Sequence, residues 1–139
     1  MEPDLQSSLI CDDVRQEVNG KFMLIGLFDS INVVKLPEVI PRLCVVTRWC
    51  CGEGEFMQRS RIVHESGAVA IEGRNIPVKL QVSESTVSSL EFFMNVRFEN
   101  AGVYWVEVLL NDDLKIRYPI RVLLNKQGGR PNPPPPSMS

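Results

Sequence analysis

From Gly102 to Leu124 apolar and polar residues alternate on either side of one short polar interruption. Tyr104, Val106, Val108 and Leu110 share one face of the first arm, and Leu114, Ile116, Tyr118, Ile120, Val122 and Leu124 share one face of the second. Successive side chains of a strand point to opposite faces, so this pattern predicts a β-hairpin buried on one side. If Leu110 and Leu114 close a loop of Asn111, Asp112 and Asp113, then Glu107 lies opposite Arg117 and Trp105 opposite Pro119. Proline has no amide hydrogen to offer a further neighbour, so the second arm is expected to be a sheet edge near Pro119, or bulged there.

The same reading extends upstream. Asn19-Gly20 between residues 5–17 and 21–31 marks a tight hairpin turn. The run 21–31 is apolar on both faces and is expected to be covered on both, with a bulge or close approach at Gly26. Asp12 and Asp13 interrupt the first run and point to an irregularity there. Residues 33–41 carry Pro37 and Pro41 and read as an extended crossover. Further strands are expected at 42–51, 56–64, 68–71, 76–82 and 90–98, the last with Leu90, Phe92, Met94, Val96 and Phe98 on one face, and 83–89 as a polar loop. About nine short strands without an amphipathic helix predict an all-β fold, a two-sheet antiparallel sandwich. One domain over 1–125 is expected, followed by a Pro-rich tail at 126–139 that lacks apolar periodicity and reads as disordered.

Composition narrows the functional classes. With 15 basic against 17 acidic residues, nothing favours nucleic acid or an anionic membrane as a partner. No apolar run approaches a membrane span, and residues 1–8 lack the pattern of a secretory signal, so a cytoplasmic protein is expected. In that compartment Cys11, Cys44, Cys50 and Cys51 read as free thiols, and without a C-x-x-C spacing neither a metal nor a cofactor is expected.

FENAGVYWVEV, with Gly102 and Tyr104, resembles the turn and following strand of immunoglobulin-like domains, where the tyrosine hydroxyl bonds back to the turn. The resemblance implies an immunoglobulin-like sandwich with Trp49 as its central core tryptophan. Val106 stands where antibody domains carry a cysteine, so the inter-sheet disulfide is not implied. Over a longer span CDDVRQEVNGKFMLIGLFDSI, PRLCVVTRW and the closing hairpin resemble a family of small bacterial domains of unknown function. That resemblance implies a compact β-sandwich and no activity.

Candidate chemistry is sparse. His64, the single histidine, precedes Glu65-Ser66-Gly67 and reads as a loop-edge residue more readily than as a base acting with Ser60 or Glu65. Cys50 and Cys51 read as packing thiols. Asp12, Asp13 and Asp29 could suggest a calcium cradle, but local pairing with Arg15 or Lys21 is favoured. No residue is assigned a catalytic role and an enzyme is not expected. Trp105, Val103 and Leu109 fall on the hairpin face opposite the core and, with Arg117 and Pro119, form the expected interaction surface. The expected function is protein-protein binding or self-assembly. The alternative is a small ligand, carbohydrate or calcium held at 53–55 or 111–113.

Overall fold

A computed structural model describes residues 1–125. The expected disordered tail, 126–139, lies outside the described residues. The chain forms ten strands: β1 (Asp4–Gln16), β2 (Phe22–Leu27), β3 (Ser30–Val33), β4 (Glu38–Cys50), β5 (Gly54–His64), β6 (Val69–Glu72), β7 (Ile76–Leu80), β8 (Thr86–Phe98), β9 (Gly102–Leu110) and β10 (Asp113–Leu124). A four-stranded sheet runs β2-β1-β4-β8 and a six-stranded sheet runs β3-β10-β9-β5-β6, with β7 also paired to β5. The fold is an all-β two-sheet sandwich, and no helix occurs among the described residues.

The tenth strand arises from a crossing. Residues 21–31 do not run as one strand, because the chain leaves the first sheet at Phe28 and continues as β3 in the second. The Phe28 amide donates to the Ile10 carbonyl (3.3 Å), and the Asp29 carbonyl accepts the Arg121 amide (3.0 Å), so both sheets hold the crossing. Having crossed, β3 runs parallel to β10, which corrects the expectation of purely antiparallel pairing.

The closing hairpin has Glu107 opposite Arg117 and Trp105 opposite Pro119, as the alternation requires. It reaches that register by another route. Asp113, not Leu114, pairs with Leu110, leaving Asn111 and Asp112 as a two-residue turn with φ of 48° and 66°. Both central residues of such a turn need positive φ, which Asn and Asp tolerate. An irregularity between Leu114 and Ile116 then takes up the extra residue and restores the alternation.

The inner faces pack two apolar clusters. The larger contains Leu43, Val45, Ile62, Phe98, Tyr104, Val106 and Ile120, and the smaller surrounds Trp49 with Val78, Leu80, Val108 and Leu110. The Tyr104 hydroxyl donates to the Asn100 carbonyl (2.7 Å) across the turn before its strand. Strand β8 departs from expectation. Val96 and Phe98 face inward, whereas Leu90 and Phe92 lie opposite Val46 and Cys44 on the outer side. Asn95, at φ 52°, breaks the extended backbone between the two stretches and exchanges the faces. Glu91 thereby becomes a buried residue.

Candidate functional site

The outer face of the six-stranded sheet presents two rows. One runs Val69, Val63, Trp105, Pro119 and the other Glu72, Arg61, Glu107, Arg117. Glu107 joins the second row, with Arg61 Nε at 2.5 Å from one oxygen and Arg117 Nε at 3.4 Å from the other. The Arg117 guanidinium also stacks on the Trp105 ring, 3.9 Å from its centroid. Trp105 and Val103 are half-buried, and Arg117 and Pro119 are exposed, all on the outer side. Leu109 is not part of this surface. It is 4% exposed, because its central strand places Arg59 beside it on one flank and Leu114 on the other. Arg59 is in turn anchored to Glu72 (2.6 Å) and Asp112 (3.4 Å).

Beside Pro119 the sandwich is open. Strand β3 covers β10 only from Arg121 to Leu124, and β2 covers β1 only from Cys11 to Gln16. The earlier half of each strand therefore lacks a strand neighbour on that side among the described residues, as expected near Pro119. Between these two edges lies a cavity of about 470 Å³. Ile10, Leu27, Phe28, Ile116 and Ile120 supply its apolar walls, and Asp29 lies at the end where the chain crosses. Tyr118 and Ser8 supply the polar floor. Their hydroxyls are 3.1 Å apart, and Ser8 Oγ continues to Thr47 at 3.2 Å. Burial pushes the Tyr118 hydroxyl up to about 12, which keeps it a neutral hydrogen-bonding group.

The titratable candidates are committed elsewhere. His64 Nδ1 accepts the Ser66 amide (3.1 Å), and Nε2 is left to donate to the Ala101 carbonyl (2.9 Å), so the ring ties two turns together. Burial raises the Cys11 thiol and pushes Cys44 up to about 12, while the hydrogen bond shared with Cys51 holds Cys50 above the ordinary thiol range. Asp13 takes Arg42 (2.7 Å) and Arg15 (3.4 Å).

A polar network that the alternation did not predict crosses the core. Trp49 Nε1 donates to Gln58 Oε1 (2.6 Å), Gln58 Nε2 donates to Glu91 Oε1 (2.6 Å), and the Ser60 hydroxyl donates to the same oxygen. Trp49, Gln58 and Ser60 are fully buried, and burial raises the Glu91 carboxyl despite these bonds. The signal was present: Gln58 and Ser60 alternate in phase with Phe56 and Ile62. The loops of the alternative reading are likewise engaged. Asn111 Oδ1 accepts the Met57 amide (2.9 Å), Asp112 pairs with Arg59, and Glu55 lies 3.7 Å from Lys79.

A family model described as "Family of unknown function (DUF6941)" matches residues 6–123. No curated protein matches the chain. Among solved structures, the chain is similar to the Pseudomonas fluorescens alkylpurine DNA glycosylase AlkC bound to DNA containing an abasic site analog, at 11% identity and a TM-score of 0.50. The match covers 88% of this chain and only 30% of that one, and at this identity it is a likeness of fold.

Proposed function

The chain belongs to the DUF6941 family of unknown function, and from that premise we propose that it is a non-catalytic, cytoplasmic protein-binding module of immunoglobulin-like architecture. Its binding site is the groove beside Pro119, which accepts an extended segment of a partner protein. One observation carries the reading: two half-open strand edges, one from each sheet, flank a single apolar cavity. An open edge offers unpaired amides and carbonyls to an added strand, and alternate side chains of that strand find the pocket. The crossing at Phe28 and Asp29 closes one end and sets where the added segment stops. The stacked Arg117 and Trp105 lie on the outer sheet face, with Trp105 opposite Pro119, which lines the groove.

Peptides selected from a displayed random library against the full chain test this. Bound peptide is expected to slow amide exchange in β1 before Cys11 and in β10 before Arg121, and to lose affinity on backbone N-methylation at alternate positions. Ile116→Asp is expected to weaken binding on the order of tenfold or more, as loss of a buried apolar contact does. Peptides that bind without protecting either edge, or that tolerate N-methylation, would refute the reading.

A further inference from the structure

The polar network of the core contains a charge without a counter-charge. Glu91 is 7% exposed, yet it forms no ion pair among the described residues. A buried carboxylate is ordinarily matched by a cation, because hydrogen bonds alone replace only part of its lost hydration. The Gln58 side-chain amide (2.6 Å) and the Ser60 hydroxyl both donate to Oε1, and the Ser60 backbone amide adds to them. A carboxylate has about four acceptor sites, so Oε2, which no side chain reaches among the described residues, keeps capacity for a further donor.

That oxygen lies at a pocket. Strand β8 is the edge of its sheet, and the segment joining β6 to β7 passes beside it. Between them is a pocket of about 390 Å³, a size ordinary for small-molecule sites. Ile76, Leu90, Phe92 and Phe93 form its apolar walls, and Glu91 is its most buried charge. Gly73 keeps Oε2 uncovered. Its amide donates to the Ser60 carbonyl (2.8 Å), and a Cβ there would collide with that carbonyl and stand 3.3 Å from Oε2. The mouth carries two exposed charges. Glu72 is committed to Arg59 (2.6 Å), whereas Arg74 has no ion-pair partner among the described residues.

We propose that this pocket binds a small zwitterion with a hydrocarbon body, its ammonium group donating to Glu91 Oε2 and its anionic group pairing with Arg74 at the mouth. A plain cation would satisfy Glu91 but meet Arg74, and a plain anion would meet the Glu91 carboxylate. Only a ligand with a charge at each end answers both residues. The ammonium carries the larger share, because Glu91 is buried and Arg74 is screened by solvent. In the sheet orders β8 and β6 stand at the opposite end of the sandwich from β2 and β3, so this site is separate from the groove beside Pro119.

Titration of the full chain with aminohexanoate and its shorter and longer ω-amino homologues, with hexylamine and with hexanoate tests the site. Nitrogen-proton correlation spectra report it through the Gly73 amide and the Gln58 side-chain amide, which donates to the same carboxylate. The best zwitterion is expected to shift both signals with a Kd of about 0.1–10 mM, ordinary for so few atoms. Hexylamine is expected to bind more weakly and hexanoate to leave both signals in place. Glu91→Gln, a near-isosteric change checked for folding by circular dichroism, is expected to weaken both amines on the order of tenfold or more. Arg74→Gln replaces an exposed side chain and is expected to lower the zwitterion to the affinity of hexylamine while leaving hexylamine no weaker. Signals that no homologue moves, hexanoate binding as well as the amines, or amine binding indifferent to Glu91→Gln overturns the site. Hexylamine matching every zwitterion, or zwitterion binding indifferent to Arg74→Gln, overturns the zwitterionic assignment.

Discussion

Gln58→Leu is the sharpest probe of how the two sheets are held in register. The replacement keeps the approximate volume, but it leaves the fully buried Trp49 indole N–H without its acceptor at 2.6 Å. A stranded buried donor costs about 1–3 kcal/mol. It also removes the donor 2.6 Å from Glu91, and a hydrogen bond to a charged group is worth about 1.5–3 kcal/mol. The two losses together predict a destabilisation of about 2.5–6 kcal/mol at pH 7, a large part of the ~5–15 kcal/mol that holds a typical domain. The pH dependence has a definite sign. Burial already raises Glu91 above its ordinary 4.5, and losing the Gln58 bond raises it further. A carboxyl with a raised folded-state pKa binds its proton more tightly in the native state, so its contribution is intact below 4.5 and is lost as pH rises through the folded value. The deficit of Gln58→Leu is therefore larger at pH 7 than at pH 4. Urea unfolding followed by tryptophan fluorescence and far-UV circular dichroism at both pH values measures it. A loss below about 1 kcal/mol at pH 7, or a deficit that grows on acidification, would refute the assignment of this network as a structural tie.

Leu109→Asp, at a position buried beside Arg59, is expected to cost about 3 kcal/mol or more in urea unfolding, whereas Trp105→Ala on the same outer face should cost less. In a spectrophotometric titration of the folded protein, Tyr118 should ionise only near 12 and Tyr104 above its ordinary 10. Both phenols are raised on folding, so their contribution holds below 10 and disappears as pH climbs through the folded values, and alkaline unfolding should release both together. Ellman's reagent should label Cys51 in the native state and reach Cys11 and Cys44 only on unfolding, since those two are fully buried. Rapid native labelling of Cys44 would contradict its place beneath Leu90 and Phe92.

Much of the architecture was legible in the chain because strand alternation is a local property. The facing of Tyr104 and Val106 toward the core, the Glu107-Arg117 pairing and the edge at Pro119 all follow from period-two patterning and one missing amide. Alternation holds only while the backbone stays extended. The left-handed Asn95 exchanged the faces of β8, hid Leu90 on the outer side and turned Glu91 inward, and nothing in the local apolar pattern marks that residue. Leu109 was misassigned for a different reason. Which side chains flank an outward residue depends on strands distant in sequence, here Arg59 of β5 and Leu114 of β10. The groove and the pocket at Glu91 belong to the same class. Each exists only once strands of both sheets are set beside one another. Composition and alternation by themselves determined an all-β sandwich with a half-buried closing hairpin. Tertiary pairing alone decided which edges stay open, which polar groups meet in the core and which outward faces remain apolar, because those are relations between residues far apart along the chain.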